Sequence, residues 1–275
     1  MKKKLTVAIT ALFLGAGLGL AAAIVLPSSG NAQKAATDER GQTEMKIIVN
    51  SLQDSLAGVL NNELQSAERQ KHYINITKNI PRLLLLEEST LLSDADLETA
   101  LPSLQAQTKA AKTEGGAIKV RIVRWDCFLK GSCGTLQRYW VYVQWWDGGS
   151  PKAQVLSRRG ESTPVDFLVL PVDGKPTLLL AEYSKVYSPY PHVLATWRLT
   201  DSEWAKAPMF GPNVAADEKW DLRISGNDVI LESRPPKPLK VTPNAQGDGF
   251  IFFVTEDKSE AIELRVKEGL VVWEH

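Results

Sequence analysis

The spacing of apolar residues along the chain changes three times, and each change predicts a different kind of structure. From Leu5 to Leu26 no residue is charged. As a helix this run reaches about 33 Å at 1.5 Å per residue, enough for a bilayer core of about 30 Å. The next stretch, "PSSGNAQKAATDERGQ", is poor in large apolar residues and reads as a flexible linker. From Thr43 to Lys71 the apolar positions take helical spacing. Met45, Ile48, Leu52, Leu56, Val59 and Leu60 form one stripe, continued by Leu64 and Ala67. Gln53, Asn61, Asn62 and Glu68 fall on the opposite face. Heptads last for only about three repeats, which favours an amphipathic helix packed on its own domain over a dimerising stalk.

"NIPRLLLLEESTLL" fits either a buried strand or a helix end. "SDADLETALPSLQAQTKAAKTEGG" is predicted helical. Ser93 and Asp96 have the spacing of a capping box. Pro102 divides or kinks the helix, and Gly115-Gly116 stops it.

From Ala117 onward the pattern becomes that of strands. "AIKVRIVRW" and "RYWVYVQWW" are rich in β-branched and aromatic residues and predict a hairpin. Further hairpins are expected about Asp173-Gly174, Asp201-Ser202, Gly226-Asn227 and Glu268-Gly269. "RPPKPLKVTP" lacks donors at four prolines and must be a surface connection or a sheet edge. The expected fold class is α+β: a signal or anchor helix, a helical section, then an antiparallel β meander, closed as an open sheet or barrel-like. The expected domains are 1–32 (signal peptide or membrane anchor), 33–42 (linker), 43–116 (helical section) and 117–275 (antiparallel β domain).

Charge narrows the function. The 32 basic and 32 acidic residues cancel, and the only long basic run is Lys2-Lys3-Lys4. A nucleic-acid partner requires an excess of Lys and Arg against phosphates, so no such partner is expected. The same three lysines, placed before the uncharged run, mark the chain for export. Two readings stand side by side. Gly30-Asn31-Ala32 offers small residues for signal-peptidase cleavage before Gln33. The run also exceeds the usual h-region, and an uncleaved anchor would keep the lysines in the cytoplasm and make the membrane a partner. Both readings put the remainder outside the cytoplasm, membrane-anchored by one helix or secreted.

Export changes the meaning of Cys127 and Cys133, the two cysteines of the chain. In an oxidising compartment they are expected to form a disulfide. Their spacing is not that of a C-x-x-C redox site, and His72, His192 and His275 are too few for a zinc site, so no metal is expected. In the hairpin register that sets Cys127 opposite Cys133, Val120 faces Trp140 and Ile118 faces Tyr142. The bridge then pins the hairpin tip about a turn at Phe128–Ser132.

Sequence signatures of catalysis are lacking: no nucleophile elbow, Walker loop, zincin motif or dinucleotide fingerprint occurs, and no cofactor is expected. "NAQGDGF" has a few alternating oxygen donors but Thr255 where a calcium loop needs glutamate. "NIT" at Asn75 has the form of a glycosylation acceptor, a triplet that often arises by chance. Candidate acid or base groups are Asp126, Glu182 and His192. Tyr187 and Tyr190 flank His192 in an aromatic loop, and Trp145 and Trp146 point to opposite faces of a strand. These four aromatics are the ligand-binding candidates, for a carbohydrate or an envelope protein. The expected function is a non-enzymatic interaction or ligand-binding protein of the cell envelope. The alternative is an extracytoplasmic hydrolase built on Asp126, Glu182 and His192.

Overall fold

A computed structural model describes residues 9–10, 23–24, 32–61, 65–113, 116–128, 137–157, 162–184, 191–207, 222–225, 228–232, 240–246, 249–253, 261–267 and 270–273. The fold is α+β and β-rich. The chain divides into two compact units, Met1–Gln105 and Ala106–His275.

In the first unit β1 (Ile9–Thr10) and β2 (Ala23–Ile24) form a two-residue antiparallel ladder. The rest of the N-terminal apolar run lies outside the described residues. Among the described residues no helix is long and apolar enough to cross a membrane. Helix α1 spans Ala32–Leu60 and α2 spans Ser66–Leu84. The stretch expected to be a linker therefore forms the first turns of α1. Its Ala, Gln, Lys, Glu and Arg residues are strong helix formers.

The single helix expected over Thr43–Lys71 is instead two helices, separated near Asn61. The apolar stripe explains why they pair. Met45, Ile48, Leu52, Leu56 and Val59 are buried, as are Ile76, Ile80, Leu83 and Leu84 of α2. Leu60, at the end of the stripe, is 61% exposed because the helix stops there. "NIPRLLLLEESTLL" resolves as the end of α2 followed by a 3-10 turn at Glu87–Leu91. Helix α3 (Asp94–Ala100) starts with the expected capping box. Ser93 Oγ accepts from Asp96 N at 3.1 Å, and Ser93 N donates to the Asp96 carboxylate at 3.0 Å. Gln53 Nε2 donates to Ala100 O at 2.8 Å and ties the end of α3 to α1.

The second half of the predicted helix after Pro102 is a strand, β3 (Leu104–Thr113). Its Ala, Gln and Lys content favours helix, but pairing with a neighbouring strand overrides propensity. The pattern beneath is two-fold over its first part: Leu104, Ala106 and Thr108 are covered while Gln105 and Gln107 are exposed.

The strands that follow form three antiparallel sheets in the second unit. The first has order β3-β4-β5-β6, with β4 at Gly116–Phe128, β5 at Gln137–Trp146 and β6 at Lys152–Ser157. The second has six strands: β7 (Ser162–Val172), β8 (Lys175–Ser184), β9 (Pro191–Leu199), β10 (Trp204–Lys206), β11 (Leu222–Ser225) and β12 (Asp228–Glu232). Its order is β11-β12-β9-β8-β7, with β10 also on β9. The third is β13-β14-β15-β16, at Lys240–Pro243, Gly249–Phe253, Ala261–Lys267 and Leu270–Trp273.

The expected hairpins are present in the ladders. Val172 pairs with Lys175 around Asp173-Gly174, where φ values of 49° and 70° are those of a primed two-residue turn. Leu199 pairs with Trp204, Ser225 with Asp228, and Lys267 with Leu270. β13 ends the third sheet, in keeping with Pro243 at its end.

The β4–β5 hairpin is also present, but its register differs by five residues from the one expected. Val120 pairs with Trp145, not Trp140, and Cys127 pairs with Arg138. Cys133 lies outside the described residues, in the connection 129–136. An odd shift exchanges the faces of one strand. Ile118, Val120 and Ile122 consequently share a face with Val141, Val143 and Trp145, rather than with Trp140 and Tyr142. This face is the core. It packs with Phe167, Val169, Leu178 and Leu180 of the second sheet, and with Trp197 and Trp204. Aliphatic and aromatic rows from two sheets thereby close one apolar layer, and that burial selects the register.

Candidate functional site

The residues singled out in the sequence fall in different places. Asp126 sits on β4 of the first sheet, opposite Tyr139. Glu182 is buried on β8 of the second sheet, between Pro164 and Val193. His192 lies on β9, paired with Tyr183 and Leu231. Glu182 and His192 thus occupy consecutive pairs of one ladder, and consecutive pairs alternate between faces. The ladders set the backbones of Glu182 and His192 in adjacent pairs of one sheet and that of Asp126 in another sheet. Tyr187 and Tyr190 lie outside the described residues.

Trp145 and Trp146 do take opposite faces. Trp145 is 5% exposed and meets Trp204 edge-on, with ring centroids 6.2 Å apart. The ligand-stacking role considered for Trp145 is corrected on that ground: its ring belongs to the core. Gln154 fixes the partner, donating to Trp204 O at 2.9 Å and accepting from Trp204 N at 2.8 Å. Trp146 is half-buried, and the Arg121 guanidinium lies 5.4 Å from its ring centre. Arg121 is itself buried. It donates to Thr108 Oγ1 at 2.9 Å and to Gln144 Oε1 at 3.0 Å, across three neighbouring strands.

Two polar centres had no place in the sequence reading. The first is Asp166, beside a bulge in β7. Its Oδ1 accepts from Lys109 Nζ at 2.5 Å, Gln107 Nε2 at 3.3 Å and Phe167 N at 2.8 Å. Its Oδ2 accepts from Val241 N at 2.9 Å. Lys109 also donates to Phe167 O and lies over the Phe167 ring. One carboxylate thus joins β3, β7 and β13, one strand from each of the three sheets. With four donors on it, this is a structural joint. The helical reading of residues 104–113 concealed Lys109.

The second centre lies between α1 and α2. Ile47, Asn50, Ser51, Asp54 and Ser55 of α1 and Lys71, His72 and Asn75 of α2 line an open cleft of about 560 Å³. On α1 they fall at i, i+3, i+4, i+7 and i+8, one helical face. Asn75 holds the floor. Its amide donates to Ser55 Oγ at 2.6 Å and Ser51 Oγ at 3.0 Å, and its Oδ1 accepts from Asn79 at 2.8 Å. Arg82 donates to Asn79 Oδ1 at 3.2 Å and extends the network. The Asn75 amide of the "NIT" triplet is thus engaged in helix packing. Gly58 sets the position of His72: a methyl group there would lie 2.4 Å from the imidazole ring. Reading Thr43–Lys71 as one helix would place Ser51 and Lys71 about 30 Å apart. The legible signal was the turn-forming pair Asn61-Asn62.

The turn at Asn244 has a simpler explanation than calcium. Asn244 Oδ1 accepts from Gly249 N at 3.1 Å, and Asn244 Nδ2 donates to Glu263 at 3.2 Å. The side chain closes the β13–β14 connection. Among the described residues no group of three or more His, Cys, Asp or Glu side chains is placed to hold a metal. No family model, curated protein or solved structure matches the chain. What fold and geometry define is a two-unit α+β chain with a polar interhelical cleft.

Proposed function

We propose that the protein is an extracytoplasmic, non-enzymatic ligand-binding or interaction protein of the cell envelope, tethered by its N-terminal segment or released after cleavage. The observation that carries the ligand-binding reading is the cleft between α1 and α2. It brings Asp54, Lys71 and His72 around one ligand-sized space. The hydrolase alternative loses support because Asp126 lies on a different sheet from Glu182 and His192. Export rests on the three lysines followed by the uncharged run. In this reading the second unit is an open, sandwich-like scaffold. Trp146, beside the exposed Asp147–Ser150 loop, is the remaining aromatic candidate among the described residues for an envelope or carbohydrate partner. A Cys127–Cys133 bridge belongs to the same proposal, as a tie between a strand end and the connecting segment.

Labelling intact cells with a membrane-impermeant amine reagent tests export. The protein is expected to be labelled before lysis to the same extent as after it. Protection until lysis would refute the extracytoplasmic reading. Intact mass from the native envelope then separates a full-length, tethered chain from one beginning at Gln33.

A further inference from the structure

The α1–α2 cleft offers opposite charges that do not neutralise each other. Asp54 and Lys71 are exposed, His72 is half-buried, and none of the three makes an ion pair or hydrogen bond among the described residues. Elsewhere the structure pairs such groups: Lys109 with Asp166, Arg82 with Glu44 and Arg198 with Asp173. The floor is also directional. Ser51 Oγ and Ser55 Oγ both accept from Asn75, and Asn79 donates to Ser51 Oγ at 3.4 Å. Neither hydroxyl proton has an acceptor among the described residues. Ser55 is 3% exposed, and it lines the cleft. The floor is left with O–H donors, which call for an acceptor-rich ligand group.

Three features define that ligand. Hydroxyl donors with Lys71 and His72 suit a carboxylate. Asp54 suits an ammonium. Ile47, 63% exposed at the rim, suits an aliphatic chain. A phosphate dianion fits poorly, because Asp54 faces the same space as the cations and like charges repel. We propose that the cleft binds a small zwitterion, an α-amino acid with an aliphatic side chain or a short peptide of that kind. Lys71, His72 and the two serines hold the carboxylate, and Asp54 holds the ammonium. This deepens the ligand-binding reading above and rests on it.

The test is equilibrium titration of the full-length protein with L-leucine, alongside acetate, n-butylammonium and inorganic phosphate. Leucine is expected to bind, and the two half-ligands to bind at least about tenfold more weakly, because each keeps one charged contact of two. Asp54→Asn and Lys71→Met should each raise the leucine Kd about tenfold or more. Both positions are exposed, and unchanged circular dichroism confirms that each variant folds. Gly58→Ala, which displaces the His72 ring, should weaken leucine with acetate affected in parallel. Phosphate binding tighter than leucine would overturn the zwitterion and leave an anion site. Leucine binding unchanged in Asp54→Asn and Lys71→Met would place the site elsewhere while preserving the ligand-binding reading. No binding by any of the four compounds would overturn the proposal and remove the support for that reading.

Discussion

Replacing Asp166 by alanine removes the carboxylate on which three sheets converge. The size of the loss follows from what is left behind. Phe167 N and Val241 N, at 2.8 and 2.9 Å, lose their acceptor in a buried place. Each such orphan costs about 1–3 kcal/mol. Lys109 loses its counter-ion, and breaking a buried pair costs about 3–5 kcal/mol. Its side chain is 27% exposed, so water recovers part of that charge. The contributions overlap, and the expected total is about 3–5 kcal/mol. Arg82–Glu44 is the control: its side chains are 59% and 49% exposed at 3.5 Å. Glu44→Ala, read by the helical circular dichroism of its own unit, should cost below about 1 kcal/mol, as exposed pairs do. Urea denaturation followed by tryptophan fluorescence reads the effect in the right unit, because all eight tryptophans lie after Ala106. A double-mutant cycle with Lys109→Met should give a coupling of about 1 kcal/mol or more, little changed by added salt. An Asp166→Ala loss below about 1 kcal/mol, or one no larger than that of Glu44→Ala, would refute the joint.

The adjacent tryptophans give a second contrast: Trp145→Ala should cost about 3–5 kcal/mol in urea denaturation and Trp146→Ala about 1 kcal/mol, since only the first lies in the core. Gly174→Val forces a β-branched residue to φ 70° and should lower stability by at least about 1 kcal/mol, measured the same way. Asn75→Ala removes the donor shared by Ser51 and Ser55 and should cost about 1–2 kcal/mol in the helical signal of circular dichroism. Alkylation of the protein from its native compartment should label Cys127 and Cys133 only after reduction, and the bridge should add roughly 2–2.5 kcal/mol in the chain-entropy model. Labelling of both thiols without reduction would refute the bridge.

Local chemistry was legible in the sequence and long-range adjacency was not. The Ser93–Asp96 capping box and the Asp173-Gly174 turn are each decided within four residues, and both appear as expected. The β4–β5 register is decided by a core made with residues more than twenty positions away, such as Phe167 and Leu178. Within the hairpin alone, pairing Ile118 with Tyr142 and pairing Val120 with Trp145 look equally good. The cysteines pulled the expectation toward the first. β3 was missed because its composition is helical and its partner strand comes later in the chain. The same blindness hid Asp166, whose donors come from residues 107, 109, 167 and 241.

The two units differ in what their polar groups have left to give. In the β unit Asp166 holds four donors, and Arg121 is enclosed by Thr108, Gln144 and Trp146. These groups are committed to holding strands in place, and a ligand that took one would have to break a strand contact. In the helical hairpin the packing is complete without Asp54 and Lys71, which are exposed. Its apolar stripe is buried, and the Asn75 and Asn79 amides donate across the seam to the oxygens of the two serines. Substituting Asp54 or Lys71 should therefore leave folding intact, which is the condition under which side chains are free to serve binding. If the proposed ligand-binding role holds, small-ligand recognition falls to the helical unit. Thermal unfolding of Asp54→Asn and Lys71→Met within about 2 °C of the parent protein is the result this division requires; a much larger drop would make the rim part of the scaffold.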